Sequence, residues 1–333
     1  MVEKLVGTKA MRLALITILL LVLAGCAPKV RLFPDGTDPL EEQVLQGEGS
    51  EKVLLVNVRG LISDAPDQGL LGRRPSLLQE VVSRLRLAEK DAEVRAVILK
   101  INSPGGGVTA SDVLHHEIER FRRESGKPVV ALLMDVAASG GYYVALPADR
   151  IVAHPTSVTG SVGAVFFQPR VTGLMEMAGV RVEVAKSGRN KDMGSPFRES
   201  TKEEQDIAQT LINEMGTRFQ TLVRQARDLT PEQMDTVATA RVFTGTQALD
   251  LGLVDRVGYL ESAFALAREL AELPEDAKLV AYRDQRYAND TAYNASARLV
   301  RPALLDAGLL GTALGSGLPR ECGVYYLWLP GNE

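Results

Sequence analysis

The chain alternates between short apolar runs and amphipathic stretches. Strand-like runs cover residues 52–58, 95–101 and 128–134, and the run at 95–101 is nearly continuous, as expected of a sheet that is covered on both faces. Between these runs, residues 75–90 and 108–123 place apolar side chains at helical spacing. This alternation predicts an α/β domain of β-α-β units, with helices packed around a parallel-rich sheet.

The second half of the chain continues the pattern with shorter elements. Thr201 and Glu204 form a capping-box signature that opens a long amphipathic helix, and Pro231 starts a further short helix. Beyond about residue 286 the signal fades, and the aromatic-rich stretch 325–328 is expected to pack on the body or to form an oligomer contact. The remaining predicted elements are strands at 150–153 and 180–185, a turn combined with a strand at 159–165, and helices at 170–178 and 261–273.

The N-terminus has the features of a targeting segment. Three basic residues precede an apolar run at 13–23, which is shorter than the roughly 20 residues that a membrane span needs. The run ends in a Leu-Ala-Gly-Cys sequence that resembles the bacterial lipobox. The resemblance implies cleavage before Cys26 and a lipid on that cysteine. It also implies that the folded part of the protein lies outside the cytoplasm, and the periplasmic side of the inner membrane is the expected location. A short uncleaved anchor is the alternative.

These features divide the chain into four segments. Residues 1–25 are predicted to be a lipoprotein-type signal peptide, and the proline-containing stretch 26–50 a membrane-proximal tether. A globular domain is predicted at 51–285, followed by a C-terminal extension at 286–333.

Composition narrows the function classes only slightly. The 333 residues include 45% hydrophobic and 24% charged residues, which is ordinary for a globular protein. A net charge of −4 argues against nucleic acid as a partner, since such proteins usually carry a basic excess. If Cys26 carries a lipid, Cys322 has no partner within the chain, and no disulfide framework is expected. The three histidines form no recognisable metal site, and neither a metal nor a cofactor is expected.

A sharp turn between a strand and a helix is the first candidate for chemistry. Ser139 follows the run at 128–134 and stands before Gly140 and Gly141. A hydroxyl at such a turn lies at a helix N-terminus, where free backbone N–H groups favour developing negative charge. The alternative is a tight turn with a serine N-cap, which is common.

An acyl-transfer site also needs an oxyanion hole and a base. Gly105–Gly107 and Gly140 would offer backbone N–H groups at the carboxyl ends of neighbouring strands, although a tight strand-helix turn is the alternative for the first loop. For the base, a Ser-His-Asp triad would use one of the three histidines, and a Ser-Lys pair would use a neutral lysine. Spacing alone does not choose between the two lysines of one polar loop, Lys186 and Lys191.

Four separated motifs resemble, in order, those of the signal peptide peptidase A family in its short, single-repeat bacterial form. The resemblance covers roughly residues 53–258 and makes 51–285 the peptidase domain. The motifs are Asn-Ser-Pro-Gly-Gly at 102–106, Ala-Ser-Gly-Gly-Tyr-Tyr at 138–143, Thr-Gly-Ser-Val-Gly at 159–163 and Lys-Asp-Met-Gly-Ser-Pro at 191–196.

The resemblance implies a hydrolase, a serine peptidase with a Ser/Lys dyad on a crotonase- or ClpP-like fold. On matching positions, Ser139 is the nucleophile, Lys191 the general base and Ser161 the hydrogen-bond partner of that lysine. Gly106 and Gly140 are implied to form the oxyanion hole. The implied substrates are remnant signal peptides and other apolar peptides. The implied assembly is a homo-oligomeric ring, such as an octamer, in which the lysine of one protomer serves the serine of its neighbour.

Two other functions use the same fold. A crotonase-type acyl-CoA enzyme shares the oxyanion hole, but an export signal would separate it from its cytoplasmic substrate. A non-catalytic envelope lipoprotein would use the fold as a scaffold, but it would have no need of Ser139, Ser161 and Lys191 together.

Overall fold

The computed structural model describes residues 39–69, 72–283, 290–294 and 323–328. The strands are β1 (Glu41–Gln46), β2 (Lys52–Arg59), β3 (Asp67–Gly69), β4 (Gly72–Arg74), β5 (Val94–Ser103), β6 (Gly105–Gly107), β7 (Val129–Ala138), β8 (Arg150–Ala153), β9 (Val158–Gly160), β10 (Val165–Phe167), β11 (Val242–Thr244), β12 (Arg256–Val257), β13 (Lys278–Arg283) and β14 (Gly323–Leu327). The helices are α1 (Leu77–Lys90), α2 (Val108–Ser125), α3 (Gly140–Tyr143), α4 (Thr172–Ala178), α5 (Lys202–Ala226), α6 (Pro231–Ala238), α7 (Gly245–Asp250) and α8 (Leu260–Leu270).

A mostly parallel mixed sheet forms the centre of the main body. Its strand order is β1-β13-β2-β5-β7-β8-β12, and β9 and β11 join it beside the end of β7. The pairs from β13 to β12 are parallel, whereas β1 runs antiparallel to β13 and β11 antiparallel to β9. This sheet and the helices on its two faces confirm the predicted α/β class.

The central strands are buried on both faces, which explains their nearly continuous apolar sequence. In β5, Val97 and Leu99 belong to the core under α1 and α2, while Ala96 and Ile98 belong to the core under α8. Successive side chains of a strand point to opposite faces, so a strand between two helical layers needs apolar residues at every position.

The last residues of β7 leave one neighbour and meet another. Residues 130–133 pair with β8, whereas residues 136–138 pair with β9, also in parallel. The carboxyl end of β7 therefore lies beside the end of β9, at the edge of the sheet where ligands bind in open parallel α/β folds.

Two segments differ from the sequence-based prediction. Residues 41–46, inside the predicted tether, form edge strand β1 of the main sheet. The strand predicted at 180–185 is wrong: these residues are exposed and form no strand, because a strand requires a neighbour to accept and donate its backbone hydrogen bonds. Cys26 and the predicted signal peptide lie outside the described residues. Within the described ranges, none of the helices has the length and apolar character needed to cross a bilayer.

Residues 68, 69 and 72–74 belong to a different compact unit from the one that contains the main sheet. It holds most of β3 and all of β4, which pair with each other as a two-stranded sheet.

Candidate active site

Ser139 stands at a strained turn between β7 and α3. Its φ of 53° and ψ of −119° are unusual for a residue with a side chain, a conformation that costs about 1–3 kcal/mol and persists only where the surroundings enforce it. The Ser139 N–H donates to the Gly160 carbonyl at 2.8 Å, and the Tyr143 N–H donates to the Ser139 carbonyl at 2.9 Å. A strained strand-turn-helix of this kind is how α/β hydrolases present a nucleophilic serine.

Ser161 lies at the equivalent position of the neighbouring strand. Ala138 and Gly160 are register partners of β7 and β9, and each serine directly follows one of them. Ser161 also has a positive φ, 52°, and its N–H donates to the Arg241 carbonyl at 2.9 Å. Both side chains are buried, with 1% of Ser139 and 8% of Ser161 exposed. Within the described residues, the Ser139 hydroxyl has no hydrogen-bond partner.

The glycine loop after β5 lies against the serine turn. A β-carbon on Gly105 would stand 2.7 Å from the Gly140 amide nitrogen, and one on Gly140 would stand 3.0 Å from the Gly105 α-carbon. Only glycine, which has no β-carbon, allows the two backbones to approach this closely. The φ of +106° at position 105 also favours glycine over any residue with a side chain. The structure therefore brings together the loops that carry the two predicted oxyanion donors, Gly106 and Gly140.

Gly106→Ala is expected to lower both stability and activity. A β-carbon there would stand 2.0 Å from the Ile62 carbonyl oxygen and 2.6 Å from the Ile62 nitrogen, and backbone cannot move aside as a side chain can. We expect a loss of about 1–3 kcal/mol in the free energy of unfolding and of about 100-fold or more in kcat. Thermal melting and peptide hydrolysis measure the two effects.

Gly107→Ala is the matched control, because the nearest atom to its β-carbon is a side-chain methyl at 3.8 Å and its φ is −60°. Near-wild-type stability in both variants would contradict the tight approach at Gly106.

Among the described residues of one chain, Lys191 is not hydrogen-bonded to Ser139. Its side chain is exposed, its backbone N–H donates to the Gly188 carbonyl at 3.1 Å, and no hydrogen bond or ion pair of its ammonium is recorded among the described residues. The other candidate lysine, Lys186, pairs with Asp192 at 2.7 Å. The Lys186 amine is engaged with its own loop by this contact, which favours Lys191 as the candidate base.

The histidines make other contacts. His154 lies edge-on to Tyr259 with a ring separation of 4.8 Å, and its Nδ1 is 2.9 Å from the Thr156 hydroxyl. His115 lies edge-on to Tyr143 at 5.3 Å, and burial lowers its pKa. In the part of the chain that the structure describes, neither imidazole is hydrogen-bonded to Ser139.

An ion-pair network holds the loop that carries Lys191. Arg198 contacts Asp192 at 2.7 Å and Glu204 at 2.5 Å. Glu204 is 1% exposed and closes the predicted capping box at the start of α5 by accepting from the Thr201 N–H at 2.9 Å. The hydrogen bonds from Arg198 and then from Thr201 lower the pKa of Glu204 to about 2.

Arg198→Ala is expected to lower the melting temperature at pH 7 and to flatten its decline in acid. A carboxylate with a depressed folded-state pKa contributes its full stabilisation above its ordinary value of 4.5, and that contribution is lost as the pH falls through about 2. Thermal melting from pH 2 to pH 7 compares the variant with the wild type. Arg189→Ala, which breaks only an exposed 2.7 Å pair with Glu203, should melt like the wild type. If the melting temperatures of Arg198→Ala and the wild type fell by the same amount between pH 7 and pH 2, this would contradict the role of this network.

One contributor to this region escaped the sequence-based prediction. Strand β14 lies on the glycine loop as the centre of a three-stranded antiparallel sheet, in the order β10-β14-β6. The aromatic stretch at 325–328, expected to pack on the body or to form an oligomer contact, pairs with β6 and β10. Its sequence does not show these partners, because a five-residue strand carries no information about the strand it pairs with. The described residues contain no cluster of three or more His, Cys, Asp or Glu that could hold a metal.

Comparison with known proteins gives consistent matches. Residues 121–274, which include Ser139, Ser161 and Lys191, match the model of Peptidase family S49. A protein of Enterococcus faecium named signal peptide peptidase SppA is 31% identical over 269 residues, which cover 81% of this chain and 76% of that protein. Protease 4 of Salmonella typhi is 38% identical over 225 residues, covering 68% of this chain and 36% of Protease 4. Among solved structures, a ClpP1 mutant from Listeria monocytogenes is similar over 61% of this chain and 90% of its own, with 20% identity and a TM-score of 0.40.

Proposed function

This chain belongs to peptidase family S49 and is a serine peptidase, and we propose that it is a membrane-anchored endopeptidase that degrades signal peptides left in the membrane. The strained, buried Ser139 beside Ser161 and the glycine loop is the observation that carries the proposal. The name of the Enterococcus faecium relative and the signal-like N-terminus of this chain support the substrate class. Membership in a peptidase family disfavours both the acyl-CoA enzyme and the non-catalytic scaffold.

The proposed chemistry uses a Ser/Lys dyad and an acyl-enzyme. Neutral Lys191 takes the proton of the Ser139 hydroxyl while the Ser139 oxygen attacks the carbonyl carbon of the peptide. The N–H groups of Gly106 and Gly140 stabilise the oxyanion that forms. The C–N bond then breaks as the lysine gives the proton to the leaving amine. A water molecule that the same lysine deprotonates attacks the ester carbonyl, the bond to the Ser139 oxygen breaks, and the lysine returns the proton to that oxygen. Each oxyanion donor contributes about 3–4 kcal/mol of transition-state stabilisation. Ser161 would hold the amine in place.

The dyad is proposed to be shared between protomers of a homo-oligomeric ring. Lys191 is exposed on its own chain, at the surface of a loop held by Arg198, while Ser139 is buried. A lysine that is presented outward can serve the serine of an adjacent copy. A ring of eight is one such closed arrangement, because head-to-tail interfaces close into rings.

The location is proposed to be the cell envelope, with a lipid on Cys26 and the peptidase domain on the periplasmic side of the inner membrane. Only the N-terminal sequence supports this step. Incorporation of labelled palmitate into the full chain, and its loss in Cys26→Ala, would test the lipid anchor.

The substrate class is tested with full-length protein in detergent micelles. A signal peptide with a fluorophore and quencher on either side of its apolar core is compared with a polar peptide of equal length. We expect the wild type to cut the apolar peptide at least about tenfold faster, and Ser139→Ala to cut neither. Equal rates on the two peptides would contradict the proposed substrate class.

A further inference from the structure

A second buried hydroxyl lies beside the serine turn. Ser111 is fully buried near the start of α2, the helix that begins directly after the glycine loop. A β-carbon on Gly140 would stand 2.6 Å from the Ser111 hydroxyl oxygen and 3.0 Å from the Gly105 α-carbon. The Ser111 hydroxyl and the glycine loop therefore meet at Gly140, whose N–H is one of the two proposed oxyanion donors.

The Ser111 hydroxyl has no hydrogen-bond partner within the described residues. A serine inside a helix often bonds to the carbonyl four residues earlier, and Ser111 does not use the Gly107 carbonyl in this way. Burying a polar group without a partner lowers stability, and folded proteins contain few such groups. Among the described residues, Ser139 has the only other buried side-chain hydroxyl in this condition. The two hydroxyls that lack a partner thus lie at the same turn.

The residue after Ser111 fixes the start of α2 against the serine turn. The Asp112 carboxylate accepts from the Tyr143 hydroxyl at 2.5 Å and from Arg218 at 2.6 Å. Tyr143 is the last residue of α3, so this bond joins α2 to the short helix that follows Ser139. Burial and the bond to Asp112 raise the pKa of the Tyr143 phenol, which therefore remains a donor at neutral pH. A donor that is held in place before the reaction needs no reorganisation when charge develops.

We propose that the Ser111 hydroxyl is a third donor of the oxyanion hole, alongside the N–H groups of Gly106 and Gly140. The inference rests on the proposed function for the reaction. When the carbonyl group of a peptide enters between the glycine loop and the serine turn, its oxygen accepts from Ser111, which keeps its own proton throughout. A hydrogen bond to an oxyanion is stronger than one to a neutral carbonyl, so this donor stabilises the transition state more than the bound substrate.

Ser111→Ala in the full chain separates a catalytic hydroxyl from a structural one. We expect kcat for the apolar fluorogenic peptide to fall about 100-fold, with KM within about twofold of the wild type. We expect the melting temperature to rise by about 2–4 °C, since the variant no longer buries a hydroxyl without a partner. A fluorophosphonate should still label Ser139 to completion, but more slowly. Wild-type kcat, or a fall in kcat together with a lower melting temperature, would overturn the inference.

A peptide aldehyde and the matching peptide alcohol test the donor without turnover. The aldehyde forms a tetrahedral hemiacetal with Ser139 whose oxygen lies in the oxyanion hole, whereas the alcohol binds without forming a covalent bond. We expect Ser111→Ala to weaken inhibition by the aldehyde at least about tenfold and to leave inhibition by the alcohol unchanged. An unchanged inhibition constant for the aldehyde, or an equal loss for both compounds, would contradict a third donor.

Ser157→Ala is the matched control, because Ser157 is also fully buried but its hydroxyl has partners. It donates to the Leu133 carbonyl at 2.7 Å and to the Met134 carbonyl. We expect this variant to melt at a lower temperature, with kcat and aldehyde inhibition within a few-fold of the wild type. Equal losses of kcat in Ser157→Ala and Ser111→Ala would overturn the specific role of Ser111.

The same measurements distinguish failure of this inference from failure of the proposed function. A wild type that neither cuts the peptide nor binds the aldehyde more tightly than the alcohol would refute both. A wild type that does both, with Ser111→Ala indistinguishable from it, would refute the third donor and leave the proposed function standing.

Discussion

Ser139→Ala is expected to lower kcat for peptide hydrolysis by about 10⁵-fold or more, the size of effect seen when the nucleophile of a serine peptidase is removed. The fold holds this hydroxyl in a strained, buried turn that the glycine loop after β5 contacts. Hydrolysis of a fluorogenic peptide by the full chain measures the loss. Labelling with a fluorophosphonate, which esterifies activated serine hydroxyls, should occur in the wild type and not in the variant.

Two further variants separate lost chemistry from lost structure. Ser139→Gly should be as inactive as Ser139→Ala but melt at a higher temperature, since glycine adopts a φ of 53° without strain. Ser111→Ala removes another fully buried hydroxyl near the same turn, and it should keep the label. A Ser139→Ala protein that still reacts with the fluorophosphonate and cuts peptides would refute the nucleophile assignment.

Lys191→Ala is expected to be inactive to a similar extent, and an equimolar mixture with Ser139→Ala is expected to regain activity. In a randomly mixed ring, half of the sites have the serine and half of their neighbours have the lysine. The mixture should therefore reach about a quarter of the wild-type rate. The physical reason is the placement of Lys191 on an exposed loop and of Ser139 in a buried turn. The mixture should be dissociated in mild denaturant and reassembled before assay, so that subunits exchange.

Lys186→Ala is the matched control for the lysine. It lies in the same loop and pairs with Asp192, and its loss should leave activity within a few-fold of the wild type, because an exposed ion pair contributes little. Full activity in Lys191→Ala would refute the assignment of Lys191 as the general base. Two inactive variants whose reassembled mixture stays inactive would refute the sharing of the dyad between protomers.

Local sequence was sufficient for most of the elements. The capping box of Thr201 and Glu204 is present as predicted, and Pro231 opens α6. The apolar runs at 95–101 and 128–134 correspond to β5 and to the first part of β7, which begins at Val129. Such features depend on neighbours a few residues apart, whose spacing is visible in the sequence. The same locality made Ser139 a candidate, because a strand, a sharp turn and a short helix occupy one continuous stretch.

The prediction was wrong or incomplete where the formation of a strand depends on a pairing partner elsewhere in the chain. The stretch 180–185 has a strand-like composition and forms no strand, whereas residues 41–46, taken for tether, pair with β13. A strand exists only if another chain segment satisfies its backbone donors and acceptors, and that segment can be hundreds of residues away.

By itself, the sequence of this protein determined the α/β class, the boundaries of most of the longer elements to within a few residues, and Ser139 and the glycines as candidates, while the choice of Lys191 came from the family resemblance. Only the tertiary structure decided that Ser139 and Ser161 follow paired residues of neighbouring strands, that Gly105 touches Gly140, and that Tyr326 lies on the glycine loop. The division follows from the range of the forces involved. Propensity, caps and amphipathic periodicity act along the chain, while strand order, close backbone approach and pocket filling arise only once distant segments compete for the same partners.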